Sequence, residues 1–128
     1  MIKETITYED FNGTERTEDF YFNLSKAELI EMELSTDGGF SNYINKITAA
    51  KDTKTLIMLF KKIILSSYGE KSLDGKRFIK SEEISKAFQE TEAFSILFHK
   101  LAVDDGAAAN FVNGLIPASL SKEISKEI

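Results

Sequence analysis

The stretch ITYEDFNGTERTEDFYFNLSKAELIEMEL, residues 6–34, decides the fold of this chain. Its first part alternates apolar and polar residues on both sides of Asn12-Gly13. This pattern predicts a β-hairpin, because glycine adopts a positive φ without steric cost. Its second part begins with Ser25 and Glu28 at the spacing of a capping box, which predicts a helix over residues 26–34.

Two registers of the hairpin are possible. A two-residue Asn-Gly loop pairs Phe11 with Thr14, whereas a three-residue loop pairs Asp10 with Thr14. The three-residue loop places the apolar residues of both strands on one face, and a shift by one residue would separate them. These residues are Ile2, Ile6, Tyr8, Phe20 and Phe22. We therefore expect the longer loop, with Gly13 as its left-handed bulge residue and the apolar face covered by helices.

The remainder of the chain has helical patterns. Further helices are expected over residues 41–50, 54–68, 82–89, 92–103 and 106–112. The helix over 54–68 is apolar nearly all round, which is typical of a central core helix, and Gly69 is expected to end it as the C′ residue. Residues 70–80 are expected to form a loop. The predicted fold class is α+β, mainly α, with an N-terminal β-hairpin packed on a compact bundle of five to six short helices.

The length of 128 residues predicts one globular domain. We expect it to span residues 1–117, with the hairpin in residues 1–23 and the helices in residues 24–117. The tail, residues 118–128, contains the tetrapeptide Ser-Lys-Glu-Ile twice. A helix this short is marginal alone. The tail is therefore expected to be flexible, or to become ordered on a partner.

The composition argues against several classes of protein. The chain has no cysteine, which excludes a disulfide framework and a thiolate metal site. Its net charge of −5 disfavours nonspecific binding to nucleic acid. No segment has the length of a transmembrane helix, and the polar N-terminus does not resemble a signal peptide. We expect no nucleic-acid or membrane partner, and a cytoplasmic location.

No pattern of catalytic residues is present. His99 is the single histidine and has no carboxylate nearby in sequence, so it is not expected to act as a base or a ligand. The paired acidic residues at 82–83 and 104–105 are typical of helix N-termini. The glycines at 37–39 and 73–75 belong to turns, because they lack the Lys-Ser/Thr of a phosphate loop. We therefore predict no catalytic, metal or cofactor-binding residues and no enzymatic activity.

An apolar stripe is the one candidate for partner binding. Its residues are Phe94, Leu97, Phe98, Leu101, Phe111, Leu115 and Ile116. One interpretation is ordinary core packing. The other is a groove that accepts an amphipathic helix from a partner, because the helix over 54–68 already supplies a core.

Two segments resemble one protein family. The run TYEDFNGTERTEDFYFNLSKAEL, residues 7–29, resembles the N-terminus of tail assembly chaperones from long-tailed, siphovirus-like phages and prophages of Gram-positive bacteria. The run FVNGLIPASL, residues 111–120, is similar to the C-terminal end of that family. The resemblance implies a chaperone that binds the tape measure protein, keeps it soluble and promotes assembly of the tail tube.

The resemblance also implies partners and a location. The tape measure protein is the main expected partner, and the tail tube protein and a frameshifted, longer form of the chain itself are further candidates. A homo-oligomer remains open. The expected location is the cytoplasm of the host bacterium, and the protein is not expected in the mature virion.

Two other functions remain open at this point. The chain could be a structural tail component, such as a completion or connector protein retained in the virion, whose hairpin adds to the sheet of a neighbour. It could also be a small regulatory enzyme or an antirepressor-like binder, which would need a convergent polar pocket.

Overall fold

The computed structural model describes residues 1–35, 37–39, 42 and 53–115. These residues form a four-stranded antiparallel sheet with helices packed against it. In chain order the elements are β1 Ile2–Glu9, β2 Glu15–Phe22, α1 Lys26–Ser35, α2 Thr53–Ser67, β3 Tyr68–Lys71, β4 Phe78–Ile79, α3 Glu82–Gln89, α4 Glu92–Val103 and α5 Asp105–Leu115. The predicted class, α+β and mainly α with an N-terminal hairpin, is confirmed.

The first hairpin has the longer loop. Ile2 lies opposite Phe22, as the predicted register requires. The Asp10 amide donates to the Thr14 carbonyl at 2.9 Å, and the Gly13 amide donates to the Asp10 carbonyl at 2.9 Å. Gly13 has φ +81°, the left-handed conformation expected of the bulge residue. The turn therefore sets the register that buries the apolar face.

The core lies between that face and the helices. Phe22 is fully buried, and its ring contacts the rings of Tyr68, Phe88 and Phe111 with centroids 5.6, 5.7 and 5.3 Å apart. Tyr68 belongs to β3, Phe88 to α3 and Phe111 to α5. One side chain from the first hairpin thus connects three distant parts of the chain.

A second hairpin replaces the predicted loop over residues 70–80. Helix α2 ends at Ser67, and β3 then pairs with β2, with Tyr21 opposite Gly69. Strand β4 pairs with β3 in turn. The prediction that Gly69 ends the helix as a C′ residue is wrong, because Gly69 lies in β3 and does not have a positive φ. Residues 68–71 form a strand that pairs with β2, so they do not continue the helix.

The helix boundaries follow the capping signals. Ser25 and Glu28 form the predicted capping box, with reciprocal hydrogen bonds of 2.9 and 3.1 Å. The hydroxyls of Ser81 and Thr91 accept the Ile84 and Phe94 amides in the first turns of α3 and α4, which begin and end as predicted. Helix α5 is longer than predicted and continues through the Asn-Gly pair to Leu115. The capping side chains therefore determine where these helices begin.

Some predictions fall on residues that the structure does not describe. The helix expected over residues 41–50 lies outside the described residues apart from position 42. Ile116 and the tail over residues 118–128 also lie outside them. The domain boundary at residue 117 stays a prediction.

Candidate protein-binding groove

The structure places most of the predicted apolar stripe in the core. Six of its residues are described, and five of these are no more than 7% exposed: Phe94, Leu97, Leu101, Phe111 and Leu115. Phe98 is partly buried against the same core. In this conformation a partner would reach these side chains only if α4 or α5 moved away. Their contact with a partner stays a prediction.

A different surface is open. A groove of about 630 Å³ lies between α2 and α3, and its apolar lining comes from Met58, Leu65 and Tyr68. Met58 is 63% exposed, although the next residue of the same helix, Leu59, is buried. The rest of the lining is polar and is formed by Lys61, Lys62, Ser66, Lys80, Ser81, Glu82 and Ser85.

Helix α2 can form one side of this groove because its apolar residues lie on two different faces of the helix. Leu59, Ile63 and Ile64 are buried in the core. Met58 and Leu65 are seven residues apart, with two lysines between them, and therefore lie on one other face of the helix. The prediction of a helix apolar all round missed this second face. The adjacent lysines at 61 and 62 were the available signal.

Contacts between elements hold the two sides of the groove together. The Ser85 hydroxyl on α3 donates to the Leu65 carbonyl on α2 at 3.0 Å. The Tyr68 ring stacks on the Phe88 ring, with centroids 4.1 Å apart and an angle of 12° between the planes. Burial raises the pKa of Tyr68, with smaller effects from nearby carboxylates, so its hydroxyl stays neutral at physiological pH. These contacts hold the two sides of the groove together, and Tyr68 adds no charge to its lining.

The charge around the groove opposes that of the whole chain. Its lining carries three lysines, at 61, 62 and 80, and one acidic residue, Glu82, a net charge of +2 in a chain of net charge −5. Lys80 is held by Glu28 at 2.6 Å and also donates to the Asn23 carbonyl at 2.6 Å. Within the described part of the chain, Lys61 and Lys62 make no ion pair. They leave positive charge beside the apolar lining.

A second depression, of about 600 Å³, lies where β1 meets α4 and α5. Glu4 and Lys100 line it and lie 3.9 Å from each other. Asp104 lines it too, and its carboxylate accepts the Ala107 amide at 3.1 Å at the start of α5. Glu4 and Lys100 therefore pair with each other, and Asp104 caps the start of α5. They do not converge as a catalytic set would.

The described residues offer neither a metal site nor a membrane-spanning helix. That part of the chain contains no group of three or more His, Asp or Glu side chains placed to hold a metal ion. None of its helices combines the length and the apolar character needed to cross a bilayer.

Comparison with known proteins points to one family. The model of a family described as phage tail assembly chaperone matches residues 1–127. No curated protein and no solved structure matches the chain. The family match covers both segments on which the sequence resemblance rests.

Proposed function

The chain belongs to the phage tail assembly chaperone family, and we propose that it binds the tape measure protein, keeps it soluble and promotes assembly of the tail tube around it. The family match over residues 1–127 is the observation that carries this proposal. The resemblance of residues 7–29 supports a narrower source, namely siphovirus-like phages and prophages of Gram-positive bacteria.

The surface of the protein suits this role. A tape measure protein is long and helical, and it exposes apolar stripes before the tube covers them. A small domain with an open apolar groove can cover such a stripe in many copies. The net charge of −5 limits aggregation of the chain itself. The role is binding and release, without catalysis.

The proposal includes partners and a location. The protein acts in the cytoplasm of the host bacterium and is absent from the mature virion. The tail tube protein and a frameshifted, longer form of the chain are its further partners, and it can act as a homo-oligomer.

Coexpression tests the proposal. The tape measure protein is produced alone, with this chain, or with an unrelated acidic protein of similar size. We expect this chain alone to raise the soluble fraction of the tape measure protein and to copurify with it. Equal solubility in all three cases would overturn the proposal.

A structural role in the virion is the second candidate, and strand β1 favours it. Strand β1 is eight residues long and lies at the edge of the sheet, where a strand from a neighbour could pair with it. Mass spectrometry of purified mature particles separates the two functions. A structural component is present in fixed stoichiometry with the tail tube protein, whereas an assembly chaperone is absent.

A further inference from the structure

We infer that the groove between α2 and α3 binds an amphipathic helix whose apolar stripe is flanked by acidic residues on the side that faces α2. This inference rests on the proposed function in one respect, since it takes that helix from the tape measure protein. It adds the binding surface and the chemistry of the bound segment.

The dimensions of the groove suit a helix. Met58 and Leu65 mark its length along α2, and seven residues of helix rise by about 10 Å. A helix lying beside α2 would therefore bury about two turns, with apolar residues at positions i, i+3 or i+4, and i+7. Tyr68 adds further apolar surface to the lining.

The charges predict how that helix is flanked. Lys61 and Lys62 lie on the α2 side and make no ion pair within the described residues. Glu82 lies on the α3 side and would repel a carboxylate there. Acidic residues are therefore favoured along one edge of the bound helix, and that edge faces α2.

Synthetic peptides test this chemistry with the full chain. The probe is a labelled amphipathic peptide of about 15 residues, with leucines in a single stripe and glutamates along one flank of it. The comparison peptide carries lysines in place of the glutamates. Because like charges at the rim repel, we expect fluorescence anisotropy to show about tenfold weaker binding of the lysine peptide.

Charge reversal locates the site. The double variant K61E/K62E is expected to weaken binding of the acidic probe by about tenfold and to improve binding of the lysine peptide. The matched control is K76E/R77E, which makes the same change of charge on exposed residues of the β3–β4 turn, outside the groove. It should leave the affinity of the acidic probe within about twofold, because charges away from the contact are screened by salt.

Three results would overturn the inference: no binding of the acidic probe, equal binding of both peptides, or equal effects of the two double variants. The chain's own tail is a competing occupant, since its Leu120, Ile124 and Ile128 repeat at intervals of four residues. If a peptide of residues 118–128 binds in a way that K61E/K62E abolishes, while the acidic probe does not bind, the groove belongs to the tail.

Coexpression separates this inference from the proposed function. If the unaltered chain solubilises the tape measure protein and K61E/K62E does so equally well, the function stands and the groove is not the binding surface. If the unaltered chain gives no solubilisation, the proposed function fails, and the peptide measurements still decide what the groove binds. The melting temperature of each variant confirms that it is folded.

Discussion

Glu28 connects two distant parts of the chain through its two carboxylate oxygens. Oε1 accepts the Ser25 amide at 2.9 Å, and Oε2 accepts Lys80 Nζ at 2.6 Å. Burial by itself would raise the pKa of Glu28, but hydrogen bonds from Lys80 and Ser25 outweigh it and hold the pKa below its usual value. The charged form of Glu28 therefore stabilises the fold.

Replacement of Glu28 tests this contribution. Glu28→Gln should lower the free energy of unfolding at neutral pH by up to about 1 kcal/mol, since the pair with Lys80 is partly exposed. Because the folded pKa is depressed, the contribution is complete above the usual carboxyl pKa and is lost as the pH falls through the folded value. Urea unfolding at about pH 7 and about pH 3 should show a difference that shrinks in acid.

Glu31→Gln is the matched control for Glu28→Gln. Glu31 is exposed on the same helix and should show little change at either pH. A Glu28→Gln deficit that is as large in acid as at neutral pH would contradict an ionic contribution.

Of the two contacts of Glu28, the sequence predicted only one. The spacing of Ser25 and Glu28 is a local signal and predicted the capping box. The bond to Lys80 joins residues 52 positions apart, so no local pattern could reveal it.

Among the elements, the two hairpins differ in how visible they are in the sequence. The first has long alternating strands and a glycine turn, and its register was predicted correctly. The second has strands of four and two residues, and β3 pairs with β2, a partner more than 40 residues earlier in the chain. Short strands carry little periodicity, and a glycine after a helix usually indicates its end. The second hairpin therefore depends on tertiary pairing, which the sequence pattern does not encode.

Gly69 makes the second hairpin possible by its lack of a side chain. A Cβ at this position would lie 2.7 Å from Phe78 Cε2 and 2.8 Å from the Ile79 carbonyl oxygen. We expect Gly69→Ala to lower the free energy of unfolding by about 1–3 kcal/mol, because the backbone of β4 would have to move. Urea unfolding measures this change.

Gly106→Ala provides the control for Gly69→Ala. Gly106 lies in helix α5, where a Cβ would approach only the end of the Asp104 side chain, at 3.3 Å. This change should be neutral or stabilising by up to about 1 kcal/mol, since alanine favours helix. Equal effects of the two substitutions would show that close approach to β4 is not what excludes a side chain at Gly69.

For the whole molecule, Phe22 shows how the sheet and the helices share one core. Phe22→Ala should cost about 3–5 kcal/mol, because the cavity would separate rings from β3, α3 and α5. Phe11→Ala, at a position 81% exposed in the hairpin loop, should change stability by less than about 0.5 kcal/mol. Urea unfolding followed by circular dichroism compares them, and similar losses would refute a core centred on Phe22.

The candidate groove could be predicted only in part. The apolar stripe of α4 and α5 was visible, but periodicity alone does not distinguish a core face from a binding face. The groove combines Met58 and Leu65 with Tyr68, which lies in the strand that the sequence did not reveal. The lysines of its lining are visible in the sequence, but no local pattern assigned them to a groove. Its shape depends on how two helices pack.

The two ends of the described domain meet. A Cβ at Gly114 would lie 2.9 Å from Ile2 Cδ1, so helix α5 finishes beside the first residues of strand β1. Because residues 2 and 114 lie side by side, a circular permutant that joins these ends by a short linker should keep the core intact. In a longer protein that shares these residues, a domain attached directly after residue 115 would leave from beside the start of β1.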